Sequence, residues 1–301
     1  MQKKIPLYIQ TDIGGDIDDF WALVMLLKQP WIDLKMILTD TGDTVYRAAI
    51  CAKLLQLAGR DDVEIGAGLA DWPIGRHNQT HIEWVKDYPL KSYKNYTQNG
   101  VDRFIERIRA EETPVTLMAI GPVTSLAEVL RRAPDIARKC NFVGMFGSVY
   151  KGYNGGEKPE PEYNVYVDVE ASKRVFSADW LSAAITPLDT CGIVRLTGDL
   201  YRRIEASQDK LVKAIVDVYT DWSKFYAGEK WTKPVASSTL FDTVAAHMVS
   251  SREFLKMKEV KLVVDDRGMT LPDSAGKPFQ VAYEWTDLPA YEAFLVDTLT
   301  K

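Results

Sequence analysis

The stretch Asp12-Ile13-Gly14-Gly15-Asp16-Ile17-Asp18-Asp19 puts four carboxylates into eight residues, between the apolar run IPLYIQT and the helix-patterned run FWALVMLLKQ. A strand-to-helix turn of this kind gathers all four charges in one place. Two carboxylates about 5 Å apart repel by roughly 3 kcal/mol at an effective dielectric constant of about 20, whereas a helix N-terminus returns only about 0.3–1 kcal/mol per charge. Convergence therefore requires a bound cation or a proton on one of the groups. Oxygen donors without Cys or His select a hard ion, and a flexible carboxylate set suits Ca2+, with Mg2+ as second choice. A single aspartate could simply cap a helix start; the whole octet asks for more. The paired glycines are no phosphate cradle, because GxGxxG and GxxxxGK[ST] are both absent and four acids would repel a pyrophosphate.

The elements around the turn must hold it rigidly. Short apolar runs at 5–10, 34–38, 63–66 and 115–119 alternate with helix-patterned stretches at 20–27, 45–57 and 104–110. That alternation predicts an α/β fold, an open and mostly parallel Rossmann-like sheet flanked by helices. In such sheets ligands bind beyond the carboxyl ends of the strands. Residues 71–100 and 150–163 are polar, aromatic and rich in Gly or Pro, and are expected over that end. Further helices are expected at 207–226 and 243–249, and strands at 260–264 and 279–282.

With 301 residues and neither a linker nor a repeat, the chain reads as one domain spanning 1–301. A net charge of −5 and only short basic clusters, such as Arg131-Arg132, exclude a nucleic-acid partner. The apolar run near Met1 is too short for a signal peptide, and no run spans a bilayer, so a cytoplasmic protein without membrane association is expected. Cys51, Cys140 and Cys191 are odd in number and lack a CxxC pair, which predicts reduced, buried thiols.

Asp12 through Asp19 resembles the DIGxDxDD variant of the pattern that ends the first strand of nucleoside hydrolases. The resemblance continues in the family's order through Gly42-Asp43, LMAIGPVTSLA at 117–127, FVGMFGSV at 142–149, EYNVYVDVEASKRVF at 162–176, ITPLDT at 185–190 and FDTVAA at 241–246. It implies a nucleoside hydrolase fold and calcium-dependent hydrolysis of the N-glycosidic bond of a ribonucleoside or modified nucleoside, giving ribose and free base. It also implies that Asp12 is both metal ligand and general base, that Asp19, Asp242 and the Ile120 carbonyl complete the metal site, and that Asp18 meets a ribose hydroxyl. Glu162 and Asn164 would grip the sugar, with Asn154 adding a contact; Asp43 stands where the family often has Asn. A homodimer or homotetramer follows by analogy.

One branch of the family has His immediately before the aspartate matched by Asp242, and this chain has Phe241. The leaving group then needs another donor, or less help. His77 and His81, four residues apart, and Trp84 are the candidate contacts. Trp72, Tyr153, Tyr219, Trp222, Tyr226 and Trp231 are candidates to stack on a base, although Tyr219, Trp222 and Tyr226 also follow an ordinary core stripe. His247 is expected to be packed or solvated rather than part of the site. Two other readings use the same residues: a non-catalytic nucleoside-binding relative, and a metal-dependent phosphohydrolase, which would lack its usual Lys and Arg.

Overall fold

A computed structural model describes residues 4–70 and 78–301. The apolar runs form strands β1 (Ile5–Thr11), β2 (Ile32–Thr39), β3 (Glu64–Ala67), β4 (Tyr96–Thr97), β5 (Val115–Ala119), β6 (Cys140–Met145), β7 (Ser182–Thr186), β8 (Leu255–Val264), β9 (Thr270–Pro272) and β10 (Lys277–Trp285). They make one sheet in the order β4-β3-β2-β1-β5-β6-β7-β10-β8-β9. Every pairing from β4 to β10 is parallel; β8 alone runs the other way, so its pairings with β10 and β9 are antiparallel.

Burial explains the two strand types. β5 (VTLMA) is buried at every residue, as a parallel strand covered on both faces must be. β8 at the far side mixes buried positions with exposed lysines and a glutamate, because one face of the antiparallel extension meets solvent.

Helices cover both faces. They are α1 (Asp18–Leu27), α2 (Thr44–Ala58), α3 (Ile82–Val85), α4 (Gly100–Ala110), α5 (Thr124–Arg132), α6 (Tyr163–Tyr166), α7 (Val169–Ser177), α8 (Leu188–Cys191), α9 (Gly198–Ala206), α10 (Lys210–Ala227), α11 (Phe241–Met248) and α12 (Leu288–Thr300). α1, α2, α10, α11 and α12 enclose one apolar core with Phe20, Trp21 and Leu295. α4, α5 and α7 enclose the other with Phe104, Leu126 and Phe176. α4 shows why: Val101, Phe104, Ile105 and Ile108 are buried at helical spacing, while its arginines lie on the remaining face.

The sheet order turns at β1, since β2 to β4 lie on one side of it and β5 to β7 on the other. Such a switch point opens a crevice beyond the strand ends. Segment 71–100, expected to be a loop, contains α3 and the edge strand β4 among its described residues. Cys51, Cys140 and Cys191 are buried free thiols, as expected. No helix among the described residues is long and apolar enough to cross a membrane.

Candidate active site

A cavity of about 760 Å³ opens at the switch point, lined among others by Asp12, Asp16, Asp18, Asp19, Ile120, Glu162, Asn164, Phe241 and Asp242. β1 delivers Asp12 from its carboxyl end, and α1 begins at Asp18. β5 runs beside β1 with Ala119 opposite Gln10, so Ile120 follows level with Thr11; its N–H donates to the Gln10 carbonyl at 3.0 Å. α11 enters from the other half of the chain with Asp242 in its first turn.

Carboxylate oxygens of Asp18, Asp19 and Asp242 lie within 4.8 Å of one another, and all three residues are buried. The Asp242 N–H donates to Asp18 Oδ2 at 3.3 Å, so α11 docks directly on the acidic turn. Thr11 Oγ1 donates to Asp19 Oδ1. The compact group thus contains Asp18, where the resemblance put Asp12; Asp12 lines the same cavity, walled in by protein but with an edge open to it.

Burial raises the carboxyls of Asp12, Asp18, Asp19 and Asp242 above the usual range, and for the last three the neighbouring carboxylates push the same way. Arg47 opposes the rise at Asp12 and Asp19. It carries the only positive charge among the described lining residues. An all-oxygen donor set with this much uncompensated repulsion fits a hard divalent cation.

Elsewhere on the lining, Glu162 is buried and accepts from the Gly147 N–H at 2.9 Å and the Asn164 N–H at 2.8 Å. Burial outweighs those donors and pushes its carboxyl up to about 7. Asn164 spends its Nδ2 on the Met145 carbonyl at 3.1 Å, which leaves Oδ1 as its accepting edge.

Two expected contacts do not reach the cavity. Asn154 sits at φ 56 in a short turn, exposed, and its neighbour Tyr153 lines the cavity instead. Asp43 is the exposed N-cap of α2, accepting from the Tyr46 N–H and from Gln79 Nε2, both at 2.9 Å. A left-handed residue and a capping carboxylate each spend their geometry on the backbone.

Of the expected leaving-group contacts, His81 and Trp84 do not line the cavity either. His81 has no exposed surface and packs beside Phe20 with ring centroids 6.1 Å apart, so it does not line the cavity. Trp84 packs edge-on against Phe20 at 5.2 Å, with Lys53 Nζ 4.5 Å from its ring centroid. His77 and Trp72 lie outside the described residues. His247 is packed against Phe254, Tyr291 and Phe294, as expected.

The wall where an acid was sought is aromatic: Phe241, Tyr153, Tyr163, Tyr166 and Tyr226. Tyr153 meets Phe241 edge-on at 6.2 Å, and Tyr163 meets Tyr166 perpendicularly at 5.7 Å. Tyr226 accepts from Asn78 Nδ2 at 3.2 Å across the rim. From the expected stripe, Tyr226 lines the cavity whereas Tyr219 is core.

Sequence reasoning missed Arg47, Asn78, Tyr163 and Tyr166. Arg47 is buried, with Nε donating to the Thr41 carbonyl at 2.7 Å and Nη1 to the Ile13 carbonyl at 2.8 Å. An arginine next to Tyr46 and the apolar run AAICA was the available signal, since a guanidinium on a core-facing helix needs acceptors.

Residues 7–293 match the family model described as inosine-uridine preferring nucleoside hydrolase. The chain is 25% identical to a probable uridine nucleosidase 2 of Arabidopsis thaliana, over 96% of this chain and 91% of that protein. It is 26% identical to a pyrimidine-specific ribonucleoside hydrolase, RihA, of Citrobacter koseri, over 75% of this chain and 74% of that protein. In fold it is similar to an inosine-uridine preferring nucleoside hydrolase from Bacillus anthracis, with a TM-score of 0.75 at 20% identity, covering 97% of this chain and 99% of the other. A plant nucleoside hydrolase gives a TM-score of 0.78 at 21% identity, with 98% and 99% covered. The chain belongs to the inosine-uridine preferring nucleoside hydrolase family and is, by that membership, a ribonucleoside N-glycosyl hydrolase.

Proposed function

We propose that the chain hydrolyses a ribonucleoside with the help of calcium held by Asp12, Asp19, Asp242 and the Ile120 carbonyl. The carrying observation is the convergence of buried Asp18, Asp19 and Asp242 on the cavity that Asp12 and Glu162 also line. When bound, the cation supplies the charge that lets these carboxylates stay ionised together and makes a neighbouring water more acidic.

Asp12 takes the proton of the attacking water, whose oxygen bonds to the anomeric carbon as the C–N bond breaks and its electron pair leaves with the base. Asp18 accepts from a ribose hydroxyl. Glu162 and Asn164 Oδ1 accept from the others, which fixes the anomeric carbon and converts binding into orientation. The carboxylates also face the positive charge that develops on the sugar ring.

Phe241 leaves no imidazole beside Asp242, so the leaving group is held by rings and accepts a proton from elsewhere or needs none. The curated relatives named for uridine or pyrimidine ribosides favour a pyrimidine substrate.

Ribose release from uridine, inosine and nicotinamide riboside, with calcium and after chelation, tests this reading, with Asp12→Ala as control. Release abolished by both treatments supports it. Silence across the panel with calcium demonstrably bound would sink catalysis in favour of a binding role.

A further inference from the structure

The acidic turn is held by its carbonyls. The Ile13 carbonyl accepts from Arg47 Nη1 at 2.8 Å, and the Gly14 carbonyl accepts from Tyr46 OH at 3.1 Å and from the Thr80 N–H at 3.2 Å. Thr80 Oγ1 lies 3.2 Å from the Gly14 carbonyl and 3.0 Å from the Gly15 carbonyl. The donors come from α2 and from the segment after β3, and among the described residues neither supplies a carboxylate to the cavity. The carbonyls of 13, 14 and 15 are thus fixed by these donors, while the side chains of Asp12, Asp16, Asp18 and Asp19 line the cavity.

The single hydroxyl proton of Thr80 decides how the pair Thr80-His81 works. His81 Nδ1 lies 2.7 Å from Thr80 Oγ1. If Thr80 donated to that nitrogen, its oxygen would face the Gly15 carbonyl at 3.0 Å with no proton between them. Thr80 therefore shares its one proton between the Gly14 and Gly15 carbonyls as a bifurcated bond, and His81 Nδ1–H donates to Thr80. His81 Nε2 is then the lone-pair nitrogen, and it is the buried ring atom without a partner among the described residues. Burial keeps the ring neutral, with its pKa pushed down to about 3. The His81 N–H donates to Tyr46 OH at 2.9 Å, closing the network.

We propose that Thr80, oriented by His81, is a positioning residue that presents the acidic turn to the cation. The proposal rests on the calcium reading above. Asn78, two residues earlier, lines the cavity and bridges to Tyr226, so the same short segment joins the leaving-group rim to the ligand turn.

The test compares Thr80→Val, which keeps the shape and loses the hydroxyl, with Thr80→Ser, which keeps the hydroxyl. Calcium affinity is measured by competition with a chromogenic chelator, alongside kcat, KM and the melting temperature in chelator. Outer hydrogen bonds to metal-holding groups are worth about 10- to 100-fold in affinity. Thr80→Val is expected to bind calcium weaker by that factor and to lose kcat more than KM, with Thr80→Ser restoring most of both.

Thr80→Val with the affinity and kcat of the unaltered protein overturns the proposal. So does an equal loss in both variants, which would mean packing rather than a hydrogen bond. If Thr80→Val fails to fold, Tyr46→Phe removes a donor to the same Gly14 carbonyl, and unchanged calcium affinity there overturns the proposal equally. An unaltered protein that binds no calcium refutes the cation reading itself, and one that binds calcium without releasing ribose refutes catalysis alone.

Discussion

Gly121 lies against Asp12 so closely that a Cβ at position 121 would stand 2.5 Å from Asp12 Oδ1 and 2.8 Å from the Asp12 nitrogen. The loop that follows β5 therefore carries, at 121, the residue type that lets its backbone approach the proposed general base. Gly121→Ala must push Asp12 aside, and a displacement of about 1 Å at a reacting group costs on the order of 100-fold in rate. We expect kcat to fall by roughly that factor while the protein still folds; a variant within threefold of full activity would refute this role for the contact.

Removing the cation should destabilise the protein as well as silence it. Calcium at about 100 times its dissociation constant adds about 2.7 kcal/mol, or roughly 4 °C in a chain of 301 residues. Thermal melts with calcium and with chelator check this, and Asp242→Asn should shrink the difference. Identical melts would speak against a cation in this cluster.

Glu162 predicts a pH effect on stability. Its folded carboxyl titrates at about 7, above its ordinary 4.5. A raised carboxyl contributes stability that is fully present below the unfolded pKa and is lost as pH rises through the folded one. The window is therefore about pH 4.5–7, and the full shift corresponds to about 3 kcal/mol. The melting temperature of the unaltered protein should fall more steeply across this window than that of Glu162→Gln. Parallel curves would show that Glu162 stays charged throughout.

Phe241 predicts a gain. Phe241→His places an imidazole next to Asp242 at the cavity wall, and general-acid help is worth about 100- to 10,000-fold where it is missing. Turnover of inosine should rise relative to uridine, and nicotinamide riboside, whose base departs neutral without a proton, should gain least. Equal changes across the three ribosides would place position 241 away from the leaving group.

Ribose hydroxyls are proposed partners of Asp18, Glu162 and Asn164, so 2'-deoxyuridine should lose at least about 100-fold in kcat/KM relative to uridine. A loss below tenfold would remove Asp18 from that role.

Some of this was legible because local patterns decide it. β1 and α1 follow from an apolar run meeting a helix-spaced one, and four aspartates between them announce a charge problem before any geometry is known. Asp242 was legible only through the family's motif order, since nothing local in FDTVAA points to residues 12–19. Polarity misled at Asn154 and His81: one is turned outward by a left-handed backbone, and the other is drawn into the core to serve Thr80. Arg47 was hidden because its acceptors, the Thr41 and Ile13 carbonyls, come from loops whose positions only the sheet order fixes.

Asp18 and Asp242, joined through the Asp242 N–H, are 224 residues apart in the chain. Closing so long a loop carries an entropic cost, and it is expected to follow the ordering of the intervening strands. The acidic cluster is thus expected to be one of the last features that folding completes, and no N-terminal fragment that stops short of Asp242 holds all of its proposed ligands. Calcium uptake during refolding would mark the arrival of α11 on the acidic turn, which makes the ion a clock for the final docking step.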